Sequence, residues 1–328
     1  MRPSAVPAPG PPSPAPAESL AARLLAGERL ALTRALTQVE NRRPGAAALL
    51  RAITPRTGRA YLLGITGPPG SGKSTLTTVL VRALRARGES VAIVAVDPTS
   101  AISGGALLGD RIRMLEFHKD PGVFIRSMAS RGTLGGLAAA TGDLTRVLDA
   151  FGFDWVIIET VGVGQDEVAV AGLADTTLLI EVPGLGDDVQ AIKAGVLEVA
   201  DILVVNKADL EGAGRLASTL RAMLSLAPSA GWKPPILQTV AARGEGVDAV
   251  LDAVARHRAH LEATGGRAAR ARTRLTAEVL DRALEQIAGR LQALLAHDPE
   301  LADAGDRLVA REIDPETVAT ALVARLEG

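Results

Sequence analysis

The sequence contains no cysteine, which excludes disulfides, thiolate metal ligands and cysteine nucleophiles together. Aromatic residues make up only 2% of its 328 residues, too few to supply stacking platforms for a series of bases. The formal net charge is −1, so no excess of one sign draws the chain to nucleic acid or to an anionic membrane surface. Neither partner is expected. No run of about 20 apolar residues occurs, and the N-terminus lacks a hydrophobic signal region, so a cytoplasmic location is the expectation. Lysine is scarce too: 31 of the 36 basic residues are Arg, and the five Lys stand at 73, 119, 193, 207 and 233. Each remaining Lys is a candidate for a place that needs a compact ammonium or a slim stem.

What is present is apolar material, 47% of the chain, enough for the core of one large domain with extensions. Residues 1–17, rich in Pro, Ala and Ser, are expected to form a flexible tail. Residues 18–56 carry helical periodicity in "ESLAARLLAGERLALTRALTQVEN" and "PGAAALLRAI", the second started by Pro44. Residues 57–265 alternate helical stretches with the runs "YLLGIT", "VAIVAVD", "VFIRSM", "DWVIIET", "TTLLIEV", "DILVVNK" and "PILQTV". Continuous apolar runs of this kind suit strands covered on both faces, which predicts an α/β domain with a largely parallel, doubly wound sheet. Residues 266–328 are again helical, with a long stretch over 268–297 and a final helix capped by Asp314 and opened by Pro315.

"GPPGSGKS" matches the phosphate-loop pattern G-x-x-x-x-G-K-[ST] between a strand and a helix. Gly67, Pro68, Pro69, Gly70, Ser71, Gly72, Lys73, Ser74 and Thr75 are therefore the candidate phosphate cradle. Glycines let backbone N–H groups turn towards the phosphates, Lys73 reaches the β- and γ-phosphates, and the Ser74 hydroxyl suits Mg²⁺. Three carboxylates at strand ends or adjoining loops are candidates for the metal: Asp97, Asp110 and Glu159. Each also has the reading of a turn or helix cap. In "ETVGVGQ", Gly162 and Gly164 allow close approach of backbone to a γ-phosphate. Gln165 either orients the attacking water or simply opens the next helix.

"VVNKAD" matches the guanine pattern N-K-x-D at 206–209. The Asp209 carboxylate accepts from guanine N1–H and the 2-amino group, a donor pair that adenine lacks, so GTP is preferred to ATP. Asn206 bridges base and phosphate loop, and the stem of Lys207 lies along the purine. "TVAARGEGV" is placed like the last guanine loop, with the backbone N–H near Ala242 facing the base oxygen, although Ala241 stands where Ser is usual.

Together "GITGPPGSGKST", "VDPTS", "GGALLGDRIRM", "RGTLGGLA", "ETVGVGQDE", "PGLGDDVQAIKAG" and "VNKADL" resemble the MeaB/ArgK-type GTPases, chaperones of adenosylcobalamin-dependent methylmalonyl-CoA mutase. The likeness runs over residues 20–265. It implies GTP/GDP binding with Mg²⁺ arranged by Ser74, Asp97, Asp110 and Glu159, and slow GTP hydrolysis involving Lys73, Asp97, Glu159, Gln165 and Lys193. It further implies a mobile "PGLGDDVQAIK" segment in which Asp187, Gln190 and Lys193 transmit the mutase's signal, and a homodimer through the C-terminal helices. "RSMASRGTLGG" is more basic than is usual for the family, Arg111 stands where Lys is common, and the Pro-rich tail is extra. A metal-insertion GTPase of the hydrogenase or urease type is disfavoured by the absent Cys and the four scattered His. Two rival functions stand beside it: a phosphotransferase acting on a transport protein, and a purely structural GTP-binding dimer that turns over no nucleotide.

Overall fold

A computed structural model describes residues 16–98, 114–130, 136–160, 172–184, 197, 199–226, 231–298, 301 and 303–325. It forms two compact units, Met1–Arg267 and Ala268–Gly328. The first holds a seven-stranded sheet of β1 (Tyr61–Thr66), β2 (Val91–Pro98), β3 (Val123–Ser130), β4 (Trp155–Thr160), β5 (Thr176–Glu181), β6 (Ile202–Val205) and β7 (Ile236–Gln238). Every pairing is parallel, in the order β3-β2-β4-β1-β5-β6-β7. Apolar residues on successive positions serve opposite faces: Val156 and Ile158 of β4 join one core, Trp155 and Ile157 the other. That is why the strands read as unbroken apolar runs.

Three N-terminal helices, α1 (Pro16–Leu25), α2 (Arg29–Glu40) and α3 (Ala46–Ile53), precede β1. The periodicity over 18–41 predicts one helix, but Gly27 adopts φ +83° and divides it. The following helix begins at Ala46 rather than at Pro44, because Gly45 takes a left-handed conformation that ends the preceding turn. α2 buries Ala31, Leu32, Ala35, Leu36 and Val39, in one core with Leu144, Val147 and Leu148 of α5 (Gly136–Phe151) and with β2 and β4. The N-terminal helices therefore form an outer layer over α5. Asp149 of α5 accepts the backbone N–H groups of Gly58, Arg59 and Ala60, which fastens the entry into β1.

The opposite face is covered by α4 (Lys73–Ala86) and α7 (Val247–Thr264), while α6 (Ala213–Leu226) packs on Leu179, Leu203 and Val205 of β5 and β6, on the same face of the sheet as the N-terminal helices. Arg85 of α4 grips Asp120 with two hydrogen bonds of 2.9 Å, and Gly122 N–H donates to the same carboxylate. The Arg85 guanidinium first, and then the Gly122 N–H, hold the Asp120 carboxyl below its ordinary value. A depressed carboxylate stabilises the fold above its unfolded pKa, and that contribution is lost as pH falls through the folded one. Asp120→Asn is accordingly expected to melt about 2 °C below the parent at pH 7, the gap closing as pH falls through the depressed carboxyl's titration in a thermal-melt series.

α8 (Gly266–His297) begins in the last residues of the first unit and runs into the second, where α9 (Ala304–Val309) and α10 (Pro315–Ala324) follow. Asp314 caps α10, accepting from Thr317 N–H at 3.0 Å and Thr317 Oγ1 at 2.6 Å, with Pro315 in the first helical position. Arg325 closes onto Asp298 at 2.9 Å.

Candidate functional site

β1 lies between β4 and β5, so the carboxyl ends of all three strands meet at one edge, where ligands of such sheets bind. The loop 67–72 leaves β1 there and enters α4 at Lys73. Gly67 and Gly72 take φ +142° and +90°. A Cβ on Gly67 would collide with the Ile180 carbonyl oxygen, and one on Gly72 with the Asn206 side-chain amide. Glycine alone lets the loop lie this close to β5 and to the 206–209 segment. The N-cap of α4, Gly72, makes no side-chain cap hydrogen bond, and a helix N-terminus of this kind favours an anion.

Lys73 is buried, and its Nζ donates to the carbonyl oxygens of Gly67 at 2.8 Å and Pro68 at 3.0 Å. Ser74 Oγ donates to Glu159 Oε1 at 2.6 Å, and Thr77 Oγ1 to Glu159 Oε2 at 2.8 Å. Glu159, at 3% exposure, thus sits under α4 with both oxygens engaged. This donor set fits Mg²⁺: a hydroxyl and a carboxylate are hard oxygen ligands, and the ion keeps waters and takes few protein ligands. Among the described residues no group of three or more His, Cys, Asp or Glu is placed to hold a metal. Thr160 and Thr66 join the strand ends through their hydroxyls at 3.1 Å.

The second half of the site follows β6. Asn206 is 2% exposed. Its Nδ2 donates to Ser71 O at 2.8 Å, while its Oδ1 accepts from Thr239 Oγ1 at 3.0 Å and Ala241 N–H at 3.1 Å. One amide thereby ties the phosphate loop, β6 and the loop after β7 together. Ala241 takes part through its backbone, so the absence of the usual Ser hydroxyl there leaves the tie intact. Lys207 adopts φ +54° and donates from Nζ to Gly70 O at 2.9 Å. Asp209 is partly exposed, with Arg243 Nη1 at 3.4 Å from its Oδ2. Ala242 is exposed beside them.

Asp97 lies at the end of β2, in register with Ala129 of β3, and its side chain is outside the described set. Asp110, Gln165 and Lys193, with Asp187 and Gln190, lie outside the described residues. Sequence reasoning missed Thr77, Thr239 and Arg243. Thr77 carried a usable signal, standing one helical turn after Ser74 on the same face; the other two meet their partners only across 33 or 34 residues of chain.

The family model for the methylmalonyl-CoA mutase-associated GTPase MeaB matches residues 32–296. A Pyrococcus abyssi protein named as a GTPase is 46% identical over 315 residues, covering 95% of this chain and 97% of its own. The mouse mitochondrial homolog of methylmalonic aciduria type A is 34% identical over 269 residues, 76% of this chain and 65% of its own. Among solved structures, that of an LAO/AO transport system kinase matches with a TM-score of 0.73 at 27% identity, covering 97% of this chain and all of the other. The chain belongs to the MeaB family of P-loop GTPases, hydrolysing GTP.

Proposed function

We propose that GTP turnover by this protein gates adenosylcobalamin delivery to methylmalonyl-CoA mutase, or to a related acyl-CoA mutase, and protects that enzyme. The observation that carries the reading is the family match over residues 32–296, whose description names association with methylmalonyl-CoA mutase. The mouse relative, named for methylmalonic aciduria, points the same way.

Lys73 and the N–H groups of residues 70–75 present donors where the β- and γ-phosphates enter, so charge developing during attack by water meets groups already in place. Ser74 and Glu159, with Asp97 and Asp110 as further oxygen donors, would hold Mg²⁺, which would supply neutralisation of phosphate charge. Gln165 orients the attacking water, and Lys193, with Asp187 and Gln190, carries the client's signal to the nucleotide. The sequence offers no assignable arginine for the γ-phosphate, so turnover alone is slow and the client raises it.

A homodimer through the C-terminal unit belongs to the same reading. α8 buries no residue over Gly266–His297 and exposes Leu275, Val279, Leu280, Leu284 and Ile287, an apolar stripe at helical spacing that calls for cover. No helix among the described residues is long and apolar enough to cross a membrane.

Steady-state phosphate release from GTP, with ATP as control, alone and with an adenosylcobalamin-dependent methylmalonyl-CoA mutase from the same source, tests the proposal. Acceleration by at least about tenfold with GTP only is expected, a part of the stimulation open to partner-activated GTPases. Unchanged turnover with GTP binding intact would remove this client.

A further inference from the structure

The loop after β7 holds a charged device next to the guanine reader. Residues 240–246 form a closed turn: Val240 and Glu245 pair as an antiparallel bridge, with N–H···O distances of 3.1 and 3.3 Å, and Arg243 N–H donates to Val240 O at 2.9 Å. The turn is anchored from the other side by Asn206, through Thr239 and Ala241. From this fixed base the Arg243 side chain is clipped by Glu245, with Nε to Oε1 at 2.7 Å and Nη2 to Oε2 at 3.5 Å. The nitrogen left over, Nη1, faces Asp209 Oδ2 at 3.4 Å.

A guanidinium has donors and no acceptor. Towards Asp209 it can restrict rotation of the carboxylate, and two-point reading of N1–H and the 2-amino group needs that plane held. Lys207 does not serve this purpose, since its ammonium is engaged with Gly70 O. Glu245 neutralises Arg243, so the pair adds no net charge that would draw phosphates; its influence falls on the base. Arginine suits the place better than lysine because its planar fork engages Glu245 and Asp209 from different nitrogens at once.

We propose that Arg243, held by Glu245, is a positioning residue for Asp209 and sharpens selection of guanine by fixing the plane of the carboxylate. The proposal rests on Asp209 as the acceptor for guanine. It is tested with the full chain by equilibrium binding of GDP and XDP to Arg243→Met, Arg243→Lys, Asp209→Asn and the Asp209→Asn/Arg243→Met double variant. Arg243→Met is expected to weaken GDP binding about fivefold, the scale of a partly exposed ion pair, and Arg243→Lys by an intermediate factor. In the Asp209→Asn background the same change should alter XDP binding by less than about twofold, because a neutral amide gives the guanidinium no charge to hold. Equal weakening in both backgrounds would make Arg243 a loop support only and overturn the proposal, as would parental GDP affinity in Arg243→Met. If Asp209→Asn alone keeps parental GDP affinity, the base assignment itself fails and the proposal with it, an outcome visible without any Arg243 variant.

Discussion

Asp209→Asn is expected to lower GTP affinity by about 10²–10⁴ and to make XTP the preferred nucleotide. A carboxylate accepts from both N1–H and the 2-amino group of guanine, two hydrogen bonds to a charged acceptor at ~1.5–3 kcal/mol each. The amide keeps one acceptor for N1–H and sets a donor against the 2-amino group, whereas xanthine offers a carbonyl at that position. The substitution is isosteric and the residue is partly exposed. The surrounding ties through Asn206 and Lys207 do not involve it, so the fold should stand. Competition between GTP and XTP for the purified variant reads the effect directly, and retention of parental GTP affinity would show that another group reads the base.

Lys73→Met is the second large effect, with GTP turnover falling by about 10³, the scale set by removing one charged stabiliser of transition-state charge. Methionine keeps most of the stem and removes the ammonium that donates to Gly67 O and Pro68 O. Those two carbonyls lose a donor, a cost of ~1–3 kcal/mol if they find no water, so a modest fall in melting temperature should accompany the catalytic loss. Single-turnover phosphate release beside a separate nucleotide-binding titration distinguishes the two. Turnover within about tenfold of the parent would mean that the loop backbone and the metal carry the γ-phosphate charge without Lys73.

Several parts of this molecule are legible in the chain alone, for reasons tied to particular residues. The strands of the parallel sheet appear as runs such as "WVIIET" because β4 is buried over its whole length. The Asp314–Pro315 start of α10 depends only on neighbours in sequence. The phosphate loop and the 206–209 segment are readable because each is a pattern of consecutive residues. The N-terminal helices are less so. Gly27 and Gly45 decide where they break, since helical periodicity carries on across a glycine that in fact takes positive φ.

By itself the sequence determined the nucleotide class and the fold class, since both rest on local patterns, the P-loop and N-K-x-D on one hand and buried strand runs on the other. Tertiary structure decided which partners those patterns meet. An apolar run says that a strand is buried but not which strand lies beside it; the order β4-β1-β5 puts Glu159 under Ser74 and Thr77, 85 and 82 residues away. The same holds for Asn206, which reaches Ser71 across 135 residues, and for Arg243 beside Asp209. Such contacts depend on the pairing of whole strands and on the helices that cover them, and a single residue's neighbourhood in the chain carries no record of either.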